Sequence, residues 1–144
     1  DLEIIYDPYK YEHSEKEPLS EEYFLEKYDV PEGYVDTLPK WYSFKFTYPE
    51  YNLIFIRPQL GISIQVHAER REHWTILKGR PIVLNGHTMH YEVKDGTEFQ
   101  IPVGAYHTVI NPNEEEFALL REQWGGHFDE QDITRVFNPN HYMD

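Results

Sequence analysis

Residues 67–74, HAERREHW, set two histidines, two glutamates and two arginines into eight positions and close on a tryptophan. They follow the stretch LIFIRPQLGISIQV and lead back into TILKG, so this charged corner interrupts a strand-rich region. Side chains alternate along a strand. Ser63, Gln65, His67 and Glu69 are therefore expected on one face, and Ile62, Ile64 and Val66 on the other. A turn or bulge at Arg70 and Arg71 would return Glu72 to the polar side, followed by Trp74 and Ile76. His67, Glu69 and Glu72 then converge. Imidazole nitrogens and carboxylate oxygens suit one divalent ion; zinc, manganese, iron, cobalt and nickel are not distinguished by such a donor set. A fourth ligand must come from elsewhere, and His107 in GTEFQIPVGAYHTVIN is the candidate.

The elements that must hold these residues are short strands. WYSFKFTY, NLIFIRP, GISIQVHAE and REHWTILKG alternate or are β-branched, and RPIVLNGHTMHYEV, TEFQIPVG, AYHTVINP and EEFALLREQWGG continue the pattern. Asn85-Gly86 is a strong hairpin signal, expected as the two central residues of a type I′ turn, and Asp95-Gly96 marks another tight turn. Eight or nine such strands without a long helix predict an all-β sandwich or jelly roll. FDEQDITRVFNPNHYMD is expected to hold a helical turn before an irregular tail.

Residues 1–38 differ. They are acidic, tyrosine-rich and broken by prolines, and they predict an irregular N-terminal arm with one short helix. Ser20 can cap that helix, Glu21 and Glu22 suit its first turn, Leu19 and Phe24 occupy the staple positions, and Pro31 stops it. The tyrosines would pack the arm on the main domain or on a neighbouring subunit, giving a homo-oligomer or a subunit of a larger assembly.

The 144 residues suffice for one domain with a genuine core. A formal charge of −13, from 26 acids against 13 bases, opposes nucleic-acid binding. The absence of cysteine excludes thiolate zinc sites and disulfides. No apolar run approaches the ~18 residues of a membrane span and nothing resembles a signal peptide, so a cytoplasmic protein without a membrane partner is expected. The sequence begins at Asp1 rather than Met, which leaves open what precedes it.

Gly96, Pro102, Gly104, His107 and Asn111 have the spacing G-x5-P-x-G-x2-H-x3-N, which resembles the second cupin motif in full. Gly61 through Gly79 resembles the first, G-x5-H-x-H-x2-E-x6-G, with Glu69 where the second histidine stands. Gln65, His67, Arg70, Glu72, His73, Trp74 and Gly79 further resemble the C-terminal cupin of type II phosphomannose isomerases and the bifunctional mannose-1-phosphate guanylyltransferases. PKWYSF before them and GGHFDEQDITRVF after them fit the same family. The resemblance implies a cupin jelly-roll barrel over residues 39–137, between the arm and a tail of 138–144. It further implies one divalent metal on His67, Glu69, Glu72 and His107, and aldose–ketose isomerisation of a sugar phosphate. Glu72 and Arg70 are then the expected catalytic residues, and Gln65, Trp74 and Arg135 the expected substrate contacts. With two histidines and two glutamates the centre would be neutral, a weaker Lewis acid than three histidines and one glutamate give. The alternative is a non-catalytic cupin serving as a sugar-binding or structural module in a multi-subunit particle.

Overall fold

The structure is a computed structural model and describes residues 8, 9, 12, 14–129 and 131–140. Among these are one helix, α1 (Glu21–Lys27), and eleven strands. One sheet has the order β1 (Asp36–Pro39), β2 (Ser43–Thr47), β3 (Asn52–Ile56), β10 (Ala118–Gly126), β5 (Arg70–Lys78), β8 (Glu98–Ile101). The second runs β11 (Thr134–Phe137), β4 (Ile64–Val66), β9 (His107–Ile110), β6 (Ile82–Asn85), β7 (Thr88–His90). Every strand pairing is antiparallel. The two sheets form the jelly roll expected from the strand pattern.

Between the sheets lies an apolar core to which alternate residues contribute: Ile54 and Ile56, Trp74 and Ile76, Ala118 and Leu120 from one sheet, Val83 and Val109 from the other. The larger sheet is buried on its outer side as well. Phe44, Phe46, Leu53 and Phe55 turn outward and meet Phe24 of α1, whose ring is fully buried and lies 4.7–5.2 Å from those of Phe44, Phe55 and Phe117. This explains why β3, NLIFI, is buried at every position. The arm thus packs on its own domain, and its anchor is a phenylalanine supported by Tyr28 and Tyr34. Ser20 is the N-cap residue, but its hydroxyl donates to the Glu22 carboxylate instead of accepting from the backbone.

β2 is informative for function. Its even residues, Phe44 and Phe46, face α1, while Ser43, Lys45 and Thr47 face the interior and line a cavity. The polar half of this alternation is therefore turned into the barrel. Gly79 closes β5 with φ of 103°, and a Cβ there would sit 2.7 Å from the Ala118 backbone, so the strand crossing needs glycine.

Two local expectations change. The hairpin turn is Gly86-His87, with Asn85 paired to Thr88; φ is positive at Gly86 and not at His87, as a type II′ turn requires. The C-terminal stretch contains a strand that was not expected, β11, which pairs with β4, and the expected helical turn follows it as a 3-10 turn at Pro139 and Asn140. Asn138 and Asn140 beyond β11 are buried, and Asn140 bonds both backbone groups of Gly61. The remaining tail positions, 141–144, and arm positions 1–7, 10, 11 and 13 lie outside the described residues.

Candidate metal centre and adjoining cavity

β4 ends at Val66 and β5 starts at Arg70, so residues 67–69 form a corner. Asp132 shapes it. Its carboxylate accepts the backbone N–H groups of Ala68 and Glu69 at 2.7 and 2.8 Å, and its carbonyl accepts from His67 Nδ1 at 2.5 Å. Those backbone donors hold the Asp132 carboxyl below its ordinary pKa. Because Nδ1 carries the donated proton, His67 presents the lone pair of Nε2 to the interior. Burial lowers the pKa of His67 and favours this neutral form.

His107 mirrors this. Its Nδ1 donates to the Ala105 carbonyl at 2.9 Å, leaving Nε2 as the inward lone pair. That nitrogen lies 3.3 Å from Glu72 Oε1 without hydrogen-bond geometry and is buried without a hydrogen-bond partner. Glu72 projects from β5 between the imidazoles, 3.6 Å from His67 Nε2, and its Oε1 accepts from Trp74 Nε1 at 3.3 Å. Burial raises the proton affinity of this carboxyl, but contact with His107 and the charge of Arg70 outweigh burial and keep its pKa below the ordinary value.

Ligand atoms of His67, Glu72 and His107 all lie within 4.8 Å of one another, and all three side chains are buried. Two imidazole lone pairs, each with its tautomer set by a carbonyl, and one ionised carboxylate are a fitting donor set for a divalent metal. The orphaned Nε2 of His107 is what such a ligand looks like before it binds.

Glu69 does not join them. The bend pinned by Asp132 ends the two-residue alternation at His67, so Glu69 is exposed at the corner, bonded through its backbone. The set is two histidines and one glutamate, which would leave a divalent ion with net charge +1 instead of the neutral centre expected with Glu69 included. Arg70 approaches from the fourth side, with Nη2 2.7 Å from His67 Nε2 and 3.3 Å from Glu72 Oε2. A cation entering the cluster must displace this guanidinium.

The cluster borders a cavity of about 370 Å³ that opens between β2, β5 and β10 of one sheet and β4 and β11 of the other. Gln65 and Arg135, partners across the β4–β11 pair, both line it. Trp74 does not. It is fully buried in the core, edge-on to His107, and orients the ligands from behind, in place of the substrate contact expected of it. His73 points away to Glu98 on β8.

One carboxylate was absent from the sequence reading. Glu122 on β10 lines the cavity, with Oε1 accepting from Asn52 Nδ2 at 3.0 Å. The signal was available, because Ala118, Leu120 and Glu122 share a strand face and the first two are core. Burial, reinforced by the Glu72 charge, pushes its pKa up to about 7. The sign for stability follows. Between 4.5 and about 7 the native state holds a proton the unfolded chain has released, so this group's contribution falls as pH rises through that window. Glu122→Gln should therefore gain stability relative to the parent from pH 4.5 to 7, by on the order of 3 kcal/mol, and level off above. Paired denaturant titrations across pH check this; a difference independent of pH would refute it.

Comparison with known proteins agrees with this architecture. The family model described as mannose-6-phosphate isomerase C-terminal matches residues 31–138. A mannose-1-phosphate guanylyltransferase of Klebsiella pneumoniae is 34% identical over 86 residues, covering 59% of this chain and 18% of that protein. A putative mannose-1-phosphate guanylyltransferase of Vibrio cholerae is 32% identical over 108 residues, 73% of this chain and 21% of that one. The chain thus spans about a fifth of the length of these relatives. Among solved structures, a cupin-2 domain protein of Rhodospirillum rubrum superposes with TM-score 0.63 at 18% identity, over 81% of this chain and 84% of that one. A cupin-superfamily sugar phosphate isomerase of Silicibacter pomeroyi gives 0.51 at 14% identity, over 66% and 76%. At such identities these two likenesses speak for the fold. The jelly roll, both cupin motifs and a family match over three quarters of its length place this chain in the mannose-6-phosphate isomerase C-terminal family of cupins.

Proposed function

We propose that this cupin holds one divalent metal ion on His67, Glu72 and His107 and binds a sugar phosphate in the adjoining cavity, interconverting an aldose and a ketose phosphate. The observation that carries the reading is the buried His67–Glu72–His107 cluster beside a cavity lined by Lys40, Lys45, Arg70 and Arg135. Four of the chain's 13 basic residues line this cavity against Glu12, Asp36, Glu72 and Glu122 of its 26 acids, and an ion held on Glu72 would leave the cations in excess for an anionic ligand. The bound ion would supply an electrophile for the oxygens of an enediolate. Moving a proton between neighbouring carbons also needs a base near neutrality. Glu122 faces the cavity with a proton affinity suited to that exchange, Arg70 is placed to meet developing negative charge, and Gln65 can accept or donate to sugar hydroxyls.

Protein reconstituted with manganese, zinc, cobalt or nickel should convert mannose 6-phosphate to fructose 6-phosphate, read by a coupled assay. A second reading is favoured by the Arg70 guanidinium 2.7 Å from His67 Nε2, which competes for the metal's place: a sugar-binding cupin without turnover. Tight binding of mannose 6-phosphate with no conversion under any of the four metals would select it over the isomerase. An assembly role through the arm is less supported, since α1 commits Phe24 to its own domain.

A further inference from the structure

In the lining of the same cavity, the N-terminal arm inserts the carboxylate of Glu12. Its side chain is 2% exposed. Among the described residues one oxygen, Oε2, takes every polar contact: the Tyr42 hydroxyl at 2.5 Å, Lys40 Nζ at 2.9 Å and Arg135 Nη2 at 3.7 Å. The other, Oε1, is buried without a hydrogen-bond partner. Arg135 is held for this contact by Ser63, whose Oγ accepts from Nη1 at 2.8 Å. Lys40, Tyr42, Ser63 and Arg135 all fall within the stretch that matches the family, whereas Glu12 falls outside it. The seat thus lies within the matched stretch and its occupant outside it.

The occupant fits the seat incompletely. A carboxylate with one oxygen bonded and one stranded leaves the desolvation of the unsatisfied atom uncompensated. A phosphate has three terminal oxygens to distribute among an ammonium, a guanidinium and a phenol. Tethering compensates for a poor fit, because a linked group competes at an effective concentration near the millimolar range. We propose that Lys40, Tyr42 and Arg135 form an oxyanion seat for the phosphate or carboxylate group of the cavity's ligand. Glu12 is a tethered occupant that this group displaces, so the arm sets the threshold for ligand entry. The proposal rests on the reading of the cavity as a ligand site and is independent of the metal.

The test is calorimetric titration of inorganic phosphate into full-length parent, Glu12→Gln and Glu12→Gln/Lys40→Met proteins, all stripped of metal with chelator. Glu12→Gln should bind phosphate at least tenfold more tightly than the parent, and Lys40→Met in that background should abolish the gain. Phosphate should also restore the melting temperature that Glu12→Gln loses when Lys40 and Arg135 are left uncompensated. Mannose 6-phosphate and glucuronate run in parallel distinguish phosphate from carboxylate; a gain for either in Glu12→Gln supports the seat. Equal phosphate affinity in parent and Glu12→Gln, or a gain that survives Lys40→Met, would make Glu12 a structural ion pair and overturn the proposal. Because no metal is present, failure of the metal centre leaves this outcome unchanged, and phosphate binding that appears only after metal is added counts against the seat.

Discussion

Glu72→Gln should bind divalent metal at least 100-fold more weakly than the parent and lose conversion of mannose 6-phosphate. Glu72 is the sole carboxylate in the described cluster, and it stands between the two imidazoles with both oxygens engaged: Oε1 near His107 and Trp74, Oε2 near His67 and Arg70. The amide conserves shape while removing the anionic donor. Disturbing an outer-shell partner alone costs roughly 10–100-fold in metal affinity, so loss of a charged ligand should exceed that. The substitution also leaves Arg70 without its buried counter-charge, so a fall in stability is expected alongside. Metal titration followed by competition with a chromophoric chelator reads the affinity directly. Unchanged affinity would remove Glu72 from the centre.

The second large effect is structural. Phe24→Ala should destabilise the protein by about 3–5 kcal/mol, the usual cost of emptying a fully buried aromatic site. Phe24 is the apolar plug between α1 and the outer face of the larger sheet, packed against Phe44, Phe46, Phe55 and Phe117. A helix of seven residues has little stability of its own, so its docking depends on this ring. A drop of roughly 10 °C in melting temperature is the expected reading. A change under about 1 kcal/mol would mean that α1 adds little to the fold.

Much of this architecture is legible in the residues. Period-two alternation marks most of the strands, and WYSFKFTY is resolved by the structure into a phenylalanine face toward α1 and a polar face toward the cavity. His67, Glu72 and His107 are brought together as their motifs imply. Alternation fails at the corner, because a distant side chain, Asp132, bends residues 67–69 by capturing two backbone N–H groups. No local pattern reports a constraint that arrives from 63 residues away in sequence. The same limitation hid Glu12, whose role depends on where an irregular arm lands. Glu122 is different. Its face was readable from Ala118 and Leu120, but a carboxylate following two core residues resembles the fraying end of a strand. Trp74, expected at the substrate, lies in the core; that expectation failed for a related reason, since an inward residue beside a site can form the cavity wall or stand behind it.

The most direct test of the central claim is X-ray absorption at the zinc edge of protein loaded with one equivalent of zinc. The account predicts a first shell of nitrogen and oxygen donors that includes two imidazoles at about 2.0–2.1 Å. A shell of oxygen alone, or one with a single imidazole, would contradict a metal centre built on His67, Glu72 and His107.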